Sequence, residues 1–186
     1  MVTPLYSVVM ALTEKEWDEW SALTEKVELG QRMPPRAFYA KSAKFGVVSI
    51  ELAVIRQRED ASLEILLERR PEDDPFYALQ WHMNGTIIVA GEADVEALHR
   101  LGEQELPSLD VSAARKLYTF DFPHEKHGPS HNQLHLLELS LQEQPKVKAN
   151  QAWFPLDKLP EPMVAVHTVM LDWLREYLRV GQNITR

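Results

Sequence analysis

Apolar positions recur along this chain at two periods, and the switches between them mark its elements. From Thr13 to Gly30 the spacing is helical, with Trp17, Trp20, Leu23 and Val27 on one face. Thr13 stands at the N-cap with Glu16 three residues on, the pairing of a capping box, and Gly30 stands at the stop. Met33-Pro34-Pro35 then breaks the chain. Residues 46–56, GVVSIELAVIR, are β-branched and apolar and predict a strand. The charged stretch 57–61 reads as a turn and Leu63 to Arg69 as a second strand, so 46–69 forms a hairpin. Residues 71–80 read as a loop. The helical period returns over 92–106. Leu117 to Phe122 and Leu134 to Gln142 read as strands, joined by a polar loop rich in His, Pro and Gly, and 145–151 as a further loop. The last helix, 163–179, sets Val166, Met170, Trp173, Leu174 and Tyr177 on one face. Helices interleaved with strands predict a mixed sheet with helices packed on it.

Composition narrows the chemistry. The chain of 186 residues has 12 Pro, 7 Gly and no Cys. The missing cysteine excludes a disulfide scaffold, a thiol nucleophile and Cys-ligated metal centres. Twenty Lys and Arg against 28 Asp and Glu give a net charge of −8. The excess sits in residues 46–116, which hold 7 basic and 14 acidic side chains. That balance argues against a nucleic-acid polymer as partner, because phosphate neutralisation needs clustered Lys and Arg. No stretch reaches the roughly 18 apolar residues of a membrane span. Met1 to Thr13 lacks the basic start and cleavage site of a signal peptide, so a cytoplasmic location is expected.

The densest pattern runs from Trp81 through Gly85-Thr86, Gly91-Glu92 and Arg100-Leu101-Gly102-Glu103-Gln104-Glu105-Leu106. It resembles the Nudix box: Gly, five residues, Glu, seven residues, then Arg-Glu-apolar-x-Glu-Glu. Glu92 and Arg100 match in register, and the first glycine falls on Thr86. LEILLERRPEDD before Trp81 and Ala152-Trp153-Phe154-Pro155-Leu156-Asp157-Lys158-Leu159 near the end resemble the flanking segments of that superfamily. The resemblance covers about residues 46–180 and implies an α/β fold of the α+β type. In it a mixed β-sheet is sandwiched between helices (46–186), behind an N-terminal extension with one helix (1–45).

The box departs from the pattern where metal chemistry needs it. Its three helix glutamates are here Leu101, Gln104 and Glu105. Glu92, Glu96 and Glu103 read as a solvated stripe, and Leu101 as a core residue beside Leu98 and Val95. The altered box resembles the GDP-mannose mannosyl hydrolase branch, as do Val48-Ser49-Ile50-Glu51-Leu52 and Val166-His167. That likeness implies one Mg²⁺ (Mn²⁺ as substitute) on Glu105 and the Thr86 carbonyl. It places Arg100 and Glu51 among the catalytic residues, Glu51 where the branch has Asp. A nucleoside diphosphate joined to another group, such as a sugar, would be the substrate.

The branch also carries a Gln-His pair before the Trp of the last strand. Counting back from Trp153 lands instead on Val147 and Lys148, and Gln144 supplies the glutamine only with an insertion. His131, in the loop that also holds His124 and His127, is the candidate replacement base, since imidazole titrates near neutrality. The same three histidines are a weaker candidate zinc site, while His82 and His167 read as packed or hydrogen-bonded. Arg69 and Arg70 are candidates for phosphate, one of them facing solvent. Two readings stay open: a single-Mg²⁺ hydrolase, or a Nudix-fold nucleotide-binding or regulatory domain without turnover. Attack at phosphorus by a rebuilt metal site is a third. The expected partner is a small-molecule nucleotide, with homodimerisation open.

Overall fold

The computed structural model describes residues 12–27, 33–140, 143 and 145–184. Contacts divide the chain into two compact units, 1–32 and 33–186. Helix α1, Glu14–Thr24, lies in the first and has the expected capping box. The Thr13 N–H donates to Glu16 Oε2 at 2.7 Å and the Glu16 N–H to Thr13 Oγ1 at 3.3 Å. Gly30 falls outside the described residues. Trp17 and Trp20 meet edge to face, 5.8 Å apart, but α1 carries no buried residue.

The second unit opens with a helix that the apolar pattern does not announce, α2 at Pro35–Phe45. The Pro pair does break the chain, but Pro35 then takes the first helical position, where its missing N–H costs nothing. Gly46 ends α2 at φ 69°, and a Cβ there would lie 2.9 Å from the Pro129 carbonyl oxygen.

Seven strands form one mixed sheet: β1 (Val47–Gln57), β2 (Leu63–Arg69), β3 (Trp81–His82), β4 (Asn84–Ile87), β5 (Arg115–Phe122), β6 (Ser130–Leu139) and β7 (Gln151–Pro155). The main order is β3-β2-β1-β6-β5, with β4 also on β1 and β7 on β2. The expected hairpin is β1–β2. β1 runs parallel to β6, and the other pairs are antiparallel. The sequence pattern does not announce β3, β4 and β7. β6 begins at Ser130, so His131 belongs to a strand and not to the loop before it.

Side chains alternate across a strand, so the sheet has two distinct faces. One packs Ile50, Leu52, Val54, Leu66, Leu137 and Leu139 against α3 (Asp94–Glu105). The other packs Ala53, Ile55, Ile65, Leu67, Leu134 and Leu136 against α4 (Ala165–Ile184). Helix α4 buries Met170, Leu171 and Leu174, as its period requires. Tyr177, on the expected apolar face, is 38% exposed. Leu98 and Leu101 are buried in the α3 core, but Val95 points to solvent at 70% exposure. No helix among the described residues is long and apolar enough to cross a membrane.

Candidate functional site

Arg100 organises the turn that leads into α3. Its guanidinium grips Glu92 in a fork, Nε to Oε1 at 2.7 Å and Nη2 to Oε2 at 2.8 Å. It also donates to Thr86 Oγ1 at 2.7 Å and to the Ile87 carbonyl at 2.9 Å. Planar bidentate pairing of this kind fixes geometry as well as charge. The Arg100 bonds hold the Glu92 carboxyl below its ordinary range, and Glu92 in turn raises Arg100. Glu92 is therefore no member of a solvated stripe. Glu96 receives the Ala93 N–H and Glu103 is exposed beside His99. Arg100 and Thr86 belong together, but as the brace of a loop.

Two turns of α3 carry the rest of the box. Leu101 is 1% exposed and lies in the core. Gly102 stands where the family pattern has an apolar side chain, and a Cβ there would press on Val111 Cγ2 at 2.7 Å. Glu105 is hydrogen-bonded to the ammonium of Lys148, which also donates to the Gln104 carbonyl at 2.9 Å. Buried Gln151 anchors this end of the helix. Its Nε2 lies 3.2 Å from the Glu105 carbonyl, 2.9 Å from Asn84 Oδ1 and 3.1 Å from Glu68 Oε2.

These groups do not fit a divalent cation. Among the described residues no three Asp, Glu or His side chains could hold a metal together. The one box carboxylate on the expected position already has a cation, and its would-be partners are a buried leucine and an amide. The zinc grouping fails on the same count. His127 Nε2 faces Glu125 Oε1 at 3.0 Å, while His131 Nδ1 faces Asp121 Oδ1 at 2.5 Å on another element.

Glu51 lies on the opposite face of the sheet from Glu105. It shares the face of Ala53 and Ile55, under α4, whereas Asn84, Thr86 and Gln151 line the α3 face. Ser49 Oγ donates to Glu51 Oε1 at 2.9 Å. His167 accepts the Met83 N–H on Nδ1 at 3.1 Å, which leaves its proton on Nε2, 3.7 Å from Glu51 Oε2. Burial pushes Glu51 up to about 8 and His167 well below its ordinary value; burial likewise pushes His82 down to about 3. His82 and His167 meet edge to face, 5.8 Å apart, so both are packed.

Room for Glu51 comes from Gly85, its cross-strand partner. A Cβ on Gly85 would come within 2.9 Å of the Glu51 carboxyl carbon, and closer still to Oε2. Gly85→Ala is therefore expected to displace Glu51 and to destabilise the domain by about 1.5 kcal/mol. Urea unfolding at constant pH measures this, and an unchanged midpoint would show that the close approach costs nothing.

Arg70, not Arg69, is the arginine close enough to act on Glu51. Arg69 is exposed and donates to the Leu79 carbonyl at 3.1 Å. Arg70 binds Asp74 at 3.0 Å, lies 5.9 Å from the Tyr77 ring and has a buried Nε with no hydrogen-bond partner. Beside it Glu125 accepts from Tyr77 Oη at 3.0 Å and Ser130 Oγ at 2.6 Å. Burial alone would raise Glu125; the His127, Ser130 and Tyr77 bonds outweigh it and hold the carboxyl low. The sequence pattern does not announce this group, although Tyr77 and Glu125 sit in two of its polar loops.

His131 points to the α3 face, since it shares parity with Leu137 and Leu139 on β6. It cannot serve as base at Glu51, across the sheet. Gln144 lies outside the described residues. A groove of about 580 Å³ at the β1–β2 turn, lined by Arg56, Arg58, Glu64 and Ser140, contains none of the candidates.

The fold is that of the Nudix hydrolases. A NUDIX domain profile matches residues 50–174, and the chain belongs to that family. No match is found among curated proteins. Among solved structures, the NUDIX domain of Shewanella oneidensis NrtR, in complex with ADP-ribose, superposes with a TM-score of 0.60 at 19% identity. That match covers 90% of this chain and 99% of the other. The Caenorhabditis elegans Ap4A hydrolase gives 0.55 at 18% identity, over 72% and 97% of the two chains. The Burkholderia pseudomallei MutT NUDIX hydrolase gives 0.53 at 24%, over 68% and 95%. At these identities the likeness is one of fold.

Proposed function

We propose that this domain binds a small nucleoside diphosphate derivative through the Nudix fold and does not hydrolyse it by divalent-metal chemistry. One observation carries the reading: Glu105, the only box acid left on the metal-binding face, is bonded to Lys148. Oxygen-rich coordination of Mg²⁺ needs carboxylates free to meet it, and Leu101 and Gln104 add none. The NrtR domain with ADP-ribose supports the ligand class.

A second reading keeps the single-Mg²⁺ hydrolase of a nucleotide sugar, as the mannosyl hydrolase branch suggests. It is favoured by Glu51, buried with His167 at the position of the catalytic Asp of that branch. A thermal-shift screen of nucleotide derivatives separates the two. It would include ADP-ribose, diadenosine tetraphosphate and GDP-mannose, with chromatography of the products. We expect stabilisation by at least one compound, unchanged by EDTA, and no product with Mg²⁺ or Mn²⁺. Turnover of any compound above background establishes the hydrolase instead. Label from ¹⁸O-water would then distinguish attack at the sugar from attack at phosphorus.

A further inference from the structure

We infer that Lys148 is a resident cation: its ammonium takes the seat that a divalent metal would need at Glu105. The last turn of a helix gathers unpaired carbonyls and the negative end of the helix dipole. Lys148 Nζ meets that turn of α3 twice, at the Gln104 carbonyl, 2.9 Å away, and at the Glu105 carboxylate. A divalent cation bound there would use the same two kinds of oxygen.

The lysine is placed there by the fold. Its backbone N–H donates to Gln151 Oε1 at 3.0 Å, and the Gln151 N–H returns to the Lys148 carbonyl at 3.0 Å. Gln151 is buried and its side-chain nitrogen reaches the Glu105 carbonyl at 3.2 Å. One side chain thus fixes both the turn that carries the lysine and the helix end that receives it. Charge balance follows. A lone carboxylate with an ammonium in contact is neutral as a pair, so a divalent ion meets no net negative charge there and must compete with the lysine for Glu105.

An ammonium has three protons, and the two contacts use two. The third is available to an anionic oxygen. With the ligand class proposed above, Lys148 supplies the positive charge for the diphosphate, and binding needs no metal. That last step rests on the proposed function; the exclusion of metal from Glu105 does not.

Mn²⁺ titration followed by the electron paramagnetic resonance of the free ion tests the exclusion directly. The wild type, Lys148→Met and Lys148→Met/Glu105→Gln would be compared, each with its unfolding midpoint. We expect no Glu105-dependent site in the wild type, one site in Lys148→Met, and its loss in the double variant. Lys148→Arg keeps a cation at Glu105 and should behave as the wild type, which guards against an effect of altered folding. Glu105-dependent Mn²⁺ binding by the wild type, or no gain in Lys148→Met, overturns the inference. ADP-ribose calorimetry in EDTA forms a separate arm. Lys148→Met should bind at least about tenfold more weakly than the wild type, the loss of roughly one charge-assisted hydrogen bond. If ADP-ribose binds neither protein while the Mn²⁺ results hold, the ligand reading fails and the resident cation stands.

Discussion

Leu101→Glu, which restores a glutamate that the family pattern carries, is expected to cost about 4 kcal/mol or more and to bring no metal-dependent hydrolysis. Leu101 is 1% exposed and packs in the cluster with Leu98, Leu52 and Leu137. A carboxylate there loses its hydration, and the nearest box cation, Arg100, already holds Glu92 in a two-point grip. An unpaired buried charge is among the few single changes that reach this magnitude. Urea unfolding near neutral pH gives the number, and Mg²⁺-dependent product formation gives the second readout. A stable variant that hydrolyses nucleotides would mean that this helix face opens to solvent and that the box is dormant instead of replaced.

The second large effect is a stability maximum near pH 6.5, with Glu51 responsible for the alkaline side. Folded Glu51 keeps its proton to about pH 8, whereas the unfolded carboxyl loses it near 4.5. Its contribution is complete below 4.5 and is lost as pH rises toward 8. His82 and His167 act in the opposite sense. Their folded values lie far below 6.5, so their contribution is present above 6.5 and is lost on acidification. Between 4.5 and 6.5 two histidines outweigh one glutamate, and stability climbs with pH. Above 6.5 only Glu51 is left of the three, and about 2 kcal/mol should disappear by pH 8, at 1.36 kcal/mol per pH unit. Glu51→Gln keeps the size of the side chain and cannot ionise. Its unfolding midpoint should stay level from pH 6.5 to 8 while that of the wild type falls. A wild type that is level over the same range would place water or a counter-charge at Glu51.

The long apolar segments are legible in the sequence alone, and the short ones are not. β1, β2, β5 and β6 are coherent β-branched or apolar runs, so composition separates them from loops. β3, β4 and β7 span 2, 4 and 5 residues and exist because β1 and β2 offer partners. β6 extends back to Ser130 for the same reason: β1 supplies a parallel partner from Val47, opposite Ser130, to Arg56. That extension takes His131 out of the loop. Helix α2 is hidden because its start is a Pro pair, which marks a break and a first helical position equally well.

The site divides along the same line. Spacing identifies Glu92, Arg100 and Glu105, because a motif records distances along one helix and its entry turn. Spacing does not show that Glu51 and Glu105 face opposite ways, since that depends on which strand pairs with which. Lys148 lies at the border. Counting back from Trp153 reaches it, but a lysine in place of the histidine of the mannosyl hydrolase branch reads as a missing base and not as a charge supplied. Its partner becomes visible only when β7 pairs with β2 and draws Gln151 under the end of α3.

Gln151 also has an arithmetic of its own. Its side-chain nitrogen carries two protons and stands within bonding distance of three acceptors, on β2, β4 and α3. The three cannot all be served fully at once. The amide is shared among the strands and the helix, two protons among three oxygens. A hydroxyl or N–H entering this corner would complete the set without breaking any bond already made. The join between sheet and helix is therefore short of a donor at the Gln151 amide, while the buried Asn84 Nδ2 beside it has no hydrogen-bond acceptor. That combination suits a guest able both to give and to accept a hydrogen bond.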